Sequence, residues 1–216
     1  MNKRLPLLIA AALLSAASSA QAVSFTSSAA FLAHVQPGYY LEDFNGLPGY
    51  TNLGSPVFFS GNGFSYDASN PDGMYTTPPF AGDIALSVFF SGTAITITFT
   101  GAPVTAVGGN LYGSDVGGEY IPGAMTMLLD NGESITLPNP TPTSFAGFIT
   151  SSPIISMSVL PENFNSAYWP TLDNLVVGQA VIGAIPEPST FSLMLGIAAL
   201  FGPACTWHKR SPRGTQ

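Results

Sequence analysis

Most of this chain has no positive charge at all. All five basic residues (Lys3, Arg4, Lys209, Arg210 and Arg213) lie in the two terminal segments, and the single cysteine, Cys205, lies there too. Residues 23–185 contain eleven of the twelve carboxylates and neither lysine nor arginine, so their formal charge is −11. Such a surface repels phosphate backbones and offers no cation to neutralise them, which excludes nucleic acid as a partner. Without cysteine no disulfide can form in this stretch, and with one histidine, His34, a zinc site has no ligand set. A serine triad is short of parts as well, since no G-x-S-x-G occurs and His34 stands near the end of a short helical pattern. Two carboxylates are enough for a glycosidase, and eleven acids leave that chemistry open as the enzymatic alternative.

The charged ends are ordered. Lys3 and Arg4 precede a short apolar run and Ala20-Gln21-Ala22, the layout of a secretory signal peptide over residues 1–22. At the other end, residues 189–207 carry no charge at neutral pH, the length of one membrane-spanning helix, and Lys209, Arg210 and Arg213 follow directly. Positive residues beside a span favour the cytoplasmic side, so the domain before it is expected to face outward. Between domain and span stands Pro186-Glu187-Pro188, whose prolines keep the backbone out of helix and sheet and leave an extended strip at the membrane surface.

The order "IPEPST", apolar run with an internal Leu195-Gly196, then a basic end resembles the C-terminal sorting signal of PEP-CTERM proteins. The resemblance covers residues 184–216. It implies that an exosortase, a membrane protease, recognises Pro186, Glu187 and Pro188 and detaches or transfers the exported domain. It also implies a setting rich in exopolysaccharide. The chain is then held at the inner membrane by its C-terminal helix before processing and passes to the cell surface or the extracellular space.

Residues 23–183 read as one all-β domain. A short helix is expected over 27–35 with Ser27 as N-cap, followed by strands at 39–44, 57–60, 63–68, 84–90, 94–100, 103–113, 124–130, 133–138, 145–151, 154–160 and 171–178. Ile95, Ile97 and Phe99 alternate with Thr96 and Thr98, the pattern of a half-buried strand with the apolar set inside. Asn131-Gly132 predicts a type I′ hairpin. The string predicts an antiparallel β-sandwich, and "PVTAVGGNLYGSD", "GFITSSPIISMSVL" and "LDNLVVG" resemble the jelly-roll domains of carbohydrate-binding type that are joined to PEP-CTERM tails.

Two candidate sites follow. In a jelly roll the first and last strands lie side by side, which brings "LEDF" near "TLDN" and makes Glu42, Asp43, Asp173 and Asn174 candidate ligands for Ca²⁺, a cation that takes carboxylate and amide oxygens. "DASNPDG" lacks the calcium-loop spacing and reads as a Pro-Asp-Gly turn. Aromatic pairs supply the second candidate. Adjacent strand residues face opposite sides, so Tyr39-Tyr40, Phe58-Phe59 and Phe89-Phe90 each send one ring away from the core, and Tyr168-Trp169, in an expected loop, is the leading sugar-stacking pair. The function expected is a non-catalytic surface or matrix protein that binds polysaccharide. The alternatives are a carbohydrate-active hydrolase with paired carboxylates and a purely structural matrix component.

Overall fold

The computed structural model describes residues 22–77, 83–162, 167–181 and 183. Residues 1–21 of the signal segment, Pro186, Glu187, Pro188, the expected span and Lys209, Arg210 and Arg213 lie outside them, whereas Ala22, the last residue of that segment, is the first of a strand. Among the described residues no helix is long and apolar enough to cross a membrane.

The chain runs β1 (Ala22–Phe25), α1 (Ser28–Leu32), β2 (Tyr40–Glu42), β3 (Asn52–Gly54), β4 (Val57–Gly61), β5 (Phe64–Ser69), β6 (Met74–Thr76) and β7 (Leu86–Val88). It continues with β8 (Ile95–Phe99), β9 (Val104–Ser114), β10 (Tyr120–Ile121), β11 (Met125–Leu129), β12 (Ser134–Leu137), β13 (Phe145–Ile154), β14 (Ser156–Pro161) and β15 (Trp169–Gly178). One sheet has the order β1-β13-β9-β15-β7-β6-β3, with β10 added to β9 and β2 to β15; the second has the order β12-β11-β14-β8-β5-β4. Strand pairing is antiparallel throughout. The sheets close on one core, to which the second sheet gives Tyr66, Ile95, Ile97, Met127 and Val159, and the first Leu86, Leu111, Phe148, Leu172 and Leu175. The domain is thus an all-β antiparallel sandwich.

The alternation in β8 works as its sequence indicates: Ile95 and Ile97 are fully buried, and Phe99 packs half-buried against the same cluster. Each buried side chain of this size is worth about 1.5–3 kcal/mol by removal from water. Ser27 caps α1, its hydroxyl accepting from the Ala30 amide at 3.4 Å. The helix is shorter than expected, ending at Leu32, because the chain turns into a bridge between Val35 and Ala180. Phe31 of α1 packs with Ala106, Phe145, Ile149 and Val176 to form a smaller cluster on the outer face of the nine-stranded sheet. The helix covers one part of that face; elsewhere Ser87, Tyr112, Ser114, Thr171 and Asp173 are buried, and two separate clefts open beside them.

Three local details differ from expectation. The hairpin between β11 and β12 is present, but within it Gly132 alone has a left-handed φ, +89°. The Gly132 amide donates to Leu129 O at 3.0 Å, which makes a type I turn followed by a glycine bulge instead of type I′. β15 begins at Trp169, earlier than the loop expected there. Pro170 sits opposite Gly113 inside the sheet, and its carbonyl accepts from Ser87 Oγ at 2.9 Å. Phe89 and Phe90 are both exposed, because β7 ends at Val88 and the chain bends there, so strand alternation no longer applies.

Candidate functional site: two clefts on one face of the sheet

An aromatic cleft of about 380 Å³ opens at the ends of β6, β7 and β15. Its rings are Tyr50, Tyr75, Phe89, Phe90 and Trp169, with Asp115 on the polar side. The first four form a chain of edge-to-face contacts, with centroids 5.5 Å apart for Tyr50 and Tyr75, 6.0 Å for Tyr75 and Phe89 and 4.7 Å for Phe89 and Phe90. Rings in this arrangement fix one another and leave faces turned to solvent. Tyr50 and Phe90 are more than half exposed, at 58% and 55%. The Trp169 indole N–H donates to Phe89 O at 3.4 Å, tying β15 to the bend after β7. Asp115 accepts from the Gly117 and Glu119 amides at 2.8 and 2.9 Å, so its turn is held by its own backbone.

Tyr168 has a different place. Its hydroxyl donates to Ile121 O at 3.2 Å, and its ring lies so close to Gly113 and Gly123 that a Cβ at either glycine would overlap it. Burial, with Tyr120 nearby, pushes its pKa up to about 12. The aromatic lining takes Trp169 from this pair and does not include Tyr168.

A second, polar cleft of similar size, about 380 Å³, is lined by Asp83, Asn110, Tyr112, Thr143, Asp173 and Asn174, among others. β2 does pair with β15, Glu42 standing opposite Leu175, so "LEDF" and "TLDN" are neighbours as the sequence indicates. Glu42 is turned aside: it accepts from the Tyr40 hydroxyl and, at 2.9 Å, from the Phe44 amide. Asp43 accepts from the Asn45 amide at 3.1 Å, and Asn45 Nδ2 donates to Asp83 at 2.8 Å. Asn174 has φ +49° at the register shift in β15, and there its amide and Nδ2 both donate to Asp173, at 2.7 and 2.8 Å. Burial pushes the Asp173 carboxyl up to about 7; the Asn174 amide opposes this, and the charges of Asp83 and Asp43 add to it. Tyr112 is pushed well above the usual phenol range by burial first and then by Asp173 and Asp83.

The Ca²⁺ candidates thus divide, with Asp173, Asn174 and Asp43 at the polar corner and Glu42 bonded elsewhere. Among the described residues no group of three or more His, Cys, Asp or Glu side chains is gathered to hold a metal ion. Asp83 was not singled out from the sequence. It lies within hydrogen-bonding reach of Asp173, closer than the ~5–10 Å that separates the carboxyls of glycosidases. His34 is spent locally, its Nδ1 donating to Ala30 O at 2.9 Å and its ring tilted against Phe25. The turn at Pro71 forms as read, with the Gly73 amide donating to Asn70 O at 3.1 Å.

No family model matches the chain, and no curated protein does. Three solved structures, all variants of CBM29-2 made to probe ligand recognition by family 29 carbohydrate-binding modules, align at 10–12% identity. They cover 65–84% of this chain and 99% of their own, with TM-scores of 0.34–0.35. The fold and the clefts stand on this chain's own geometry.

Proposed function

We propose that this chain is an exported, non-catalytic protein of the cell surface or extracellular matrix that holds polysaccharide in the aromatic cleft. The observation that carries the reading is the five-ring lining itself, Tyr50, Tyr75, Phe89, Phe90 and Trp169. Large exposed apolar rings are costly to keep in water unless something covers them, and the C–H face of a sugar ring stacks on such surfaces while its hydroxyls reach the polar rim. Affinity electrophoresis of the whole chain through gels of neutral polysaccharides tests it. Trp169→Ala and Phe90→Ala are expected to lose retardation by about tenfold in Kd each, the weight of one central aromatic anchor. Tyr168→Phe, outside the cleft, is expected to keep it. No retardation in any gel, together with concentration-dependent assembly, would instead mark a purely structural matrix component, and release of reducing ends would mark a hydrolase.

Sorting is the second part of the proposal and rests on the sequence. An exosortase-type protease acts at Pro186, Glu187 and Pro188, and the span at 189–207 holds the chain in the membrane until then. Replacing the three residues by alanine is expected to leave the chain uncut and membrane-bound in an exosortase-bearing host. Release equal to the parent's would refute it.

A further inference from the structure

The two clefts lie in line. On the outer face of the nine-stranded sheet, β15 pairs Trp169 with Ser114, Thr171 with both Ser87 and Tyr112, and Asp173 with Asn110. These residues alternate with Pro170 and Leu172, and Leu172, Leu86 and Leu111 belong to the inner core, so the three rows share the outer side. The first row lines the aromatic cleft and the third lines the polar one. The middle row gives a wall to each: Ser87 to the aromatic cleft, Tyr112 to the polar one. Four residue steps along the strand carry Trp169 to Asp173, about 13 Å in one direction.

Thr171, between the clefts, is fully buried with its hydroxyl bonded to Ser114 Oγ, so the clefts are parted by a closed row. We infer that they are two subsites in line along β15, which together take an internal stretch of one neutral polysaccharide chain passing over that row. The inference rests on the aromatic cleft being a sugar site. Sugar faces stack at the Trp169 end, and hydroxyls of rings further along the same chain hydrogen-bond at the other end with Asp83, Asn110 and Thr143. The charge of the ligand follows from the walls. Asp83 stands at the polar end and Asp115 at the aromatic end, and residues 23–185 contain no lysine or arginine to pair with a uronate or sulfate. An anionic chain would bring like charge into these subsites.

The test uses the full-length chain in detergent, titrated with ladders of neutral gluco-, galacto- and manno-oligosaccharides from dimer to octamer and with an oligouronate ladder from alginate. On a neutral ladder that binds, affinity is expected to climb about tenfold once the oligomer is long enough to leave the aromatic cleft, the yield of one further hydrogen-bonded subsite. Thr143 is exposed at the rim of the polar cleft, so Thr143→Trp is expected to fill that cleft without unfolding the chain. The climb should vanish in this variant while the shortest binders keep their affinity and the melting temperature stays put. A flat ladder in the parent, or a climb that survives Thr143→Trp, overturns the pairing of the subsites and leaves the aromatic site standing. Uronate oligomers binding as tightly as neutral ones overturn the ligand class. Failure of every neutral ladder removes the sugar site itself, and the paired subsites with it.

Discussion

Tyr168 and Trp169 are adjacent and chemically alike, yet one is wedged between strands and the other lines a cleft. The wedge depends on two glycines: β9 passes beneath the Tyr168 ring at Gly113, and Gly123 lies against its hydroxyl. Gly123→Ala is expected to destabilise the domain by about 1–3 kcal/mol, the usual cost of overpacking, and by clearly less in a Tyr168→Ala background. Additive costs in that double-mutant cycle would mean that the glycine matters for some other reason. Asp173 makes the other residue-scale point. Its folded pKa of about 7 stands above the ordinary 3.8, so between these values the native chain keeps a proton that the unfolded chain has released. Stability then falls as pH rises through that window, and the full cost of the buried charge is in place above it. Asp173→Asn should flatten this part of the profile and melt higher than the parent at pH above about 7. An unchanged slope in thermal melts would assign the titration to other groups.

Among the elements, β8 carries the sandwich most directly, since it sits between β5 and β14 with Ile95 and Ile97 fully buried. Ile97→Ala should cost about 2–5 kcal/mol. At roughly 2–4 °C per kcal/mol that is a fall of about 4–20 °C in a domain of this size, whereas Thr98→Ala, outside the core cluster, should cost far less. Equal losses would contradict the inward orientation of the isoleucines. Strands of this kind were legible because apolar alternation and turn residues mark them locally. β3, β6 and β10 were not: they are two or three residues long, too short for a period, and "NLG", "MYT" and "YI" are held by neighbours instead of by their own pattern. The site divides in the same way. Trp169 and the Phe89-Phe90 pair could be picked out by residue type, but Tyr75 enters through β6 and Tyr50 through a residue with φ +55°, neither of which local sequence announces. The pairing of "LEDF" with "TLDN" followed from the expected topology. Asp83 beside Asp173 did not, because that contact depends on Asn45 holding Asp83 from a third segment.

At the scale of the whole domain, residues 23–185 hold no lysine or arginine to balance their charge, and seven of the eleven acids are partnered by amides. Backbone N–H groups donate to Glu42, Asp43, Asp115, Asp130 and Glu133, and Asn side chains donate to Asp83 and Asp173. Hydrogen bonds of this kind satisfy a carboxylate without cancelling its charge, so the repulsion among the ionised acids stays in the folded state, where they are closest together, and Asp173 escapes it below about pH 7 by keeping its proton. Salt weakens that repulsion over a distance that shrinks from ~30 Å at ~0.01 M to ~8 Å at ~0.15 M, shorter than the width of a domain. The full-length chain is therefore expected to melt a few degrees higher at physiological ionic strength than in dilute buffer, with about 1 kcal/mol corresponding to ~2–4 °C. NaCl and CaCl₂ at matched ionic strength separate screening from binding. An extra rise in Ca²⁺ that Asp43→Asn and Asp173→Asn both abolish is the mark of an ion held where β2 meets β15, and equal rises are the mark of screening alone. A melting temperature that stays flat or falls as NaCl is added would show that the unfolded chain repels itself as strongly as the folded one, and that the missing lysines and arginines cost this fold nothing.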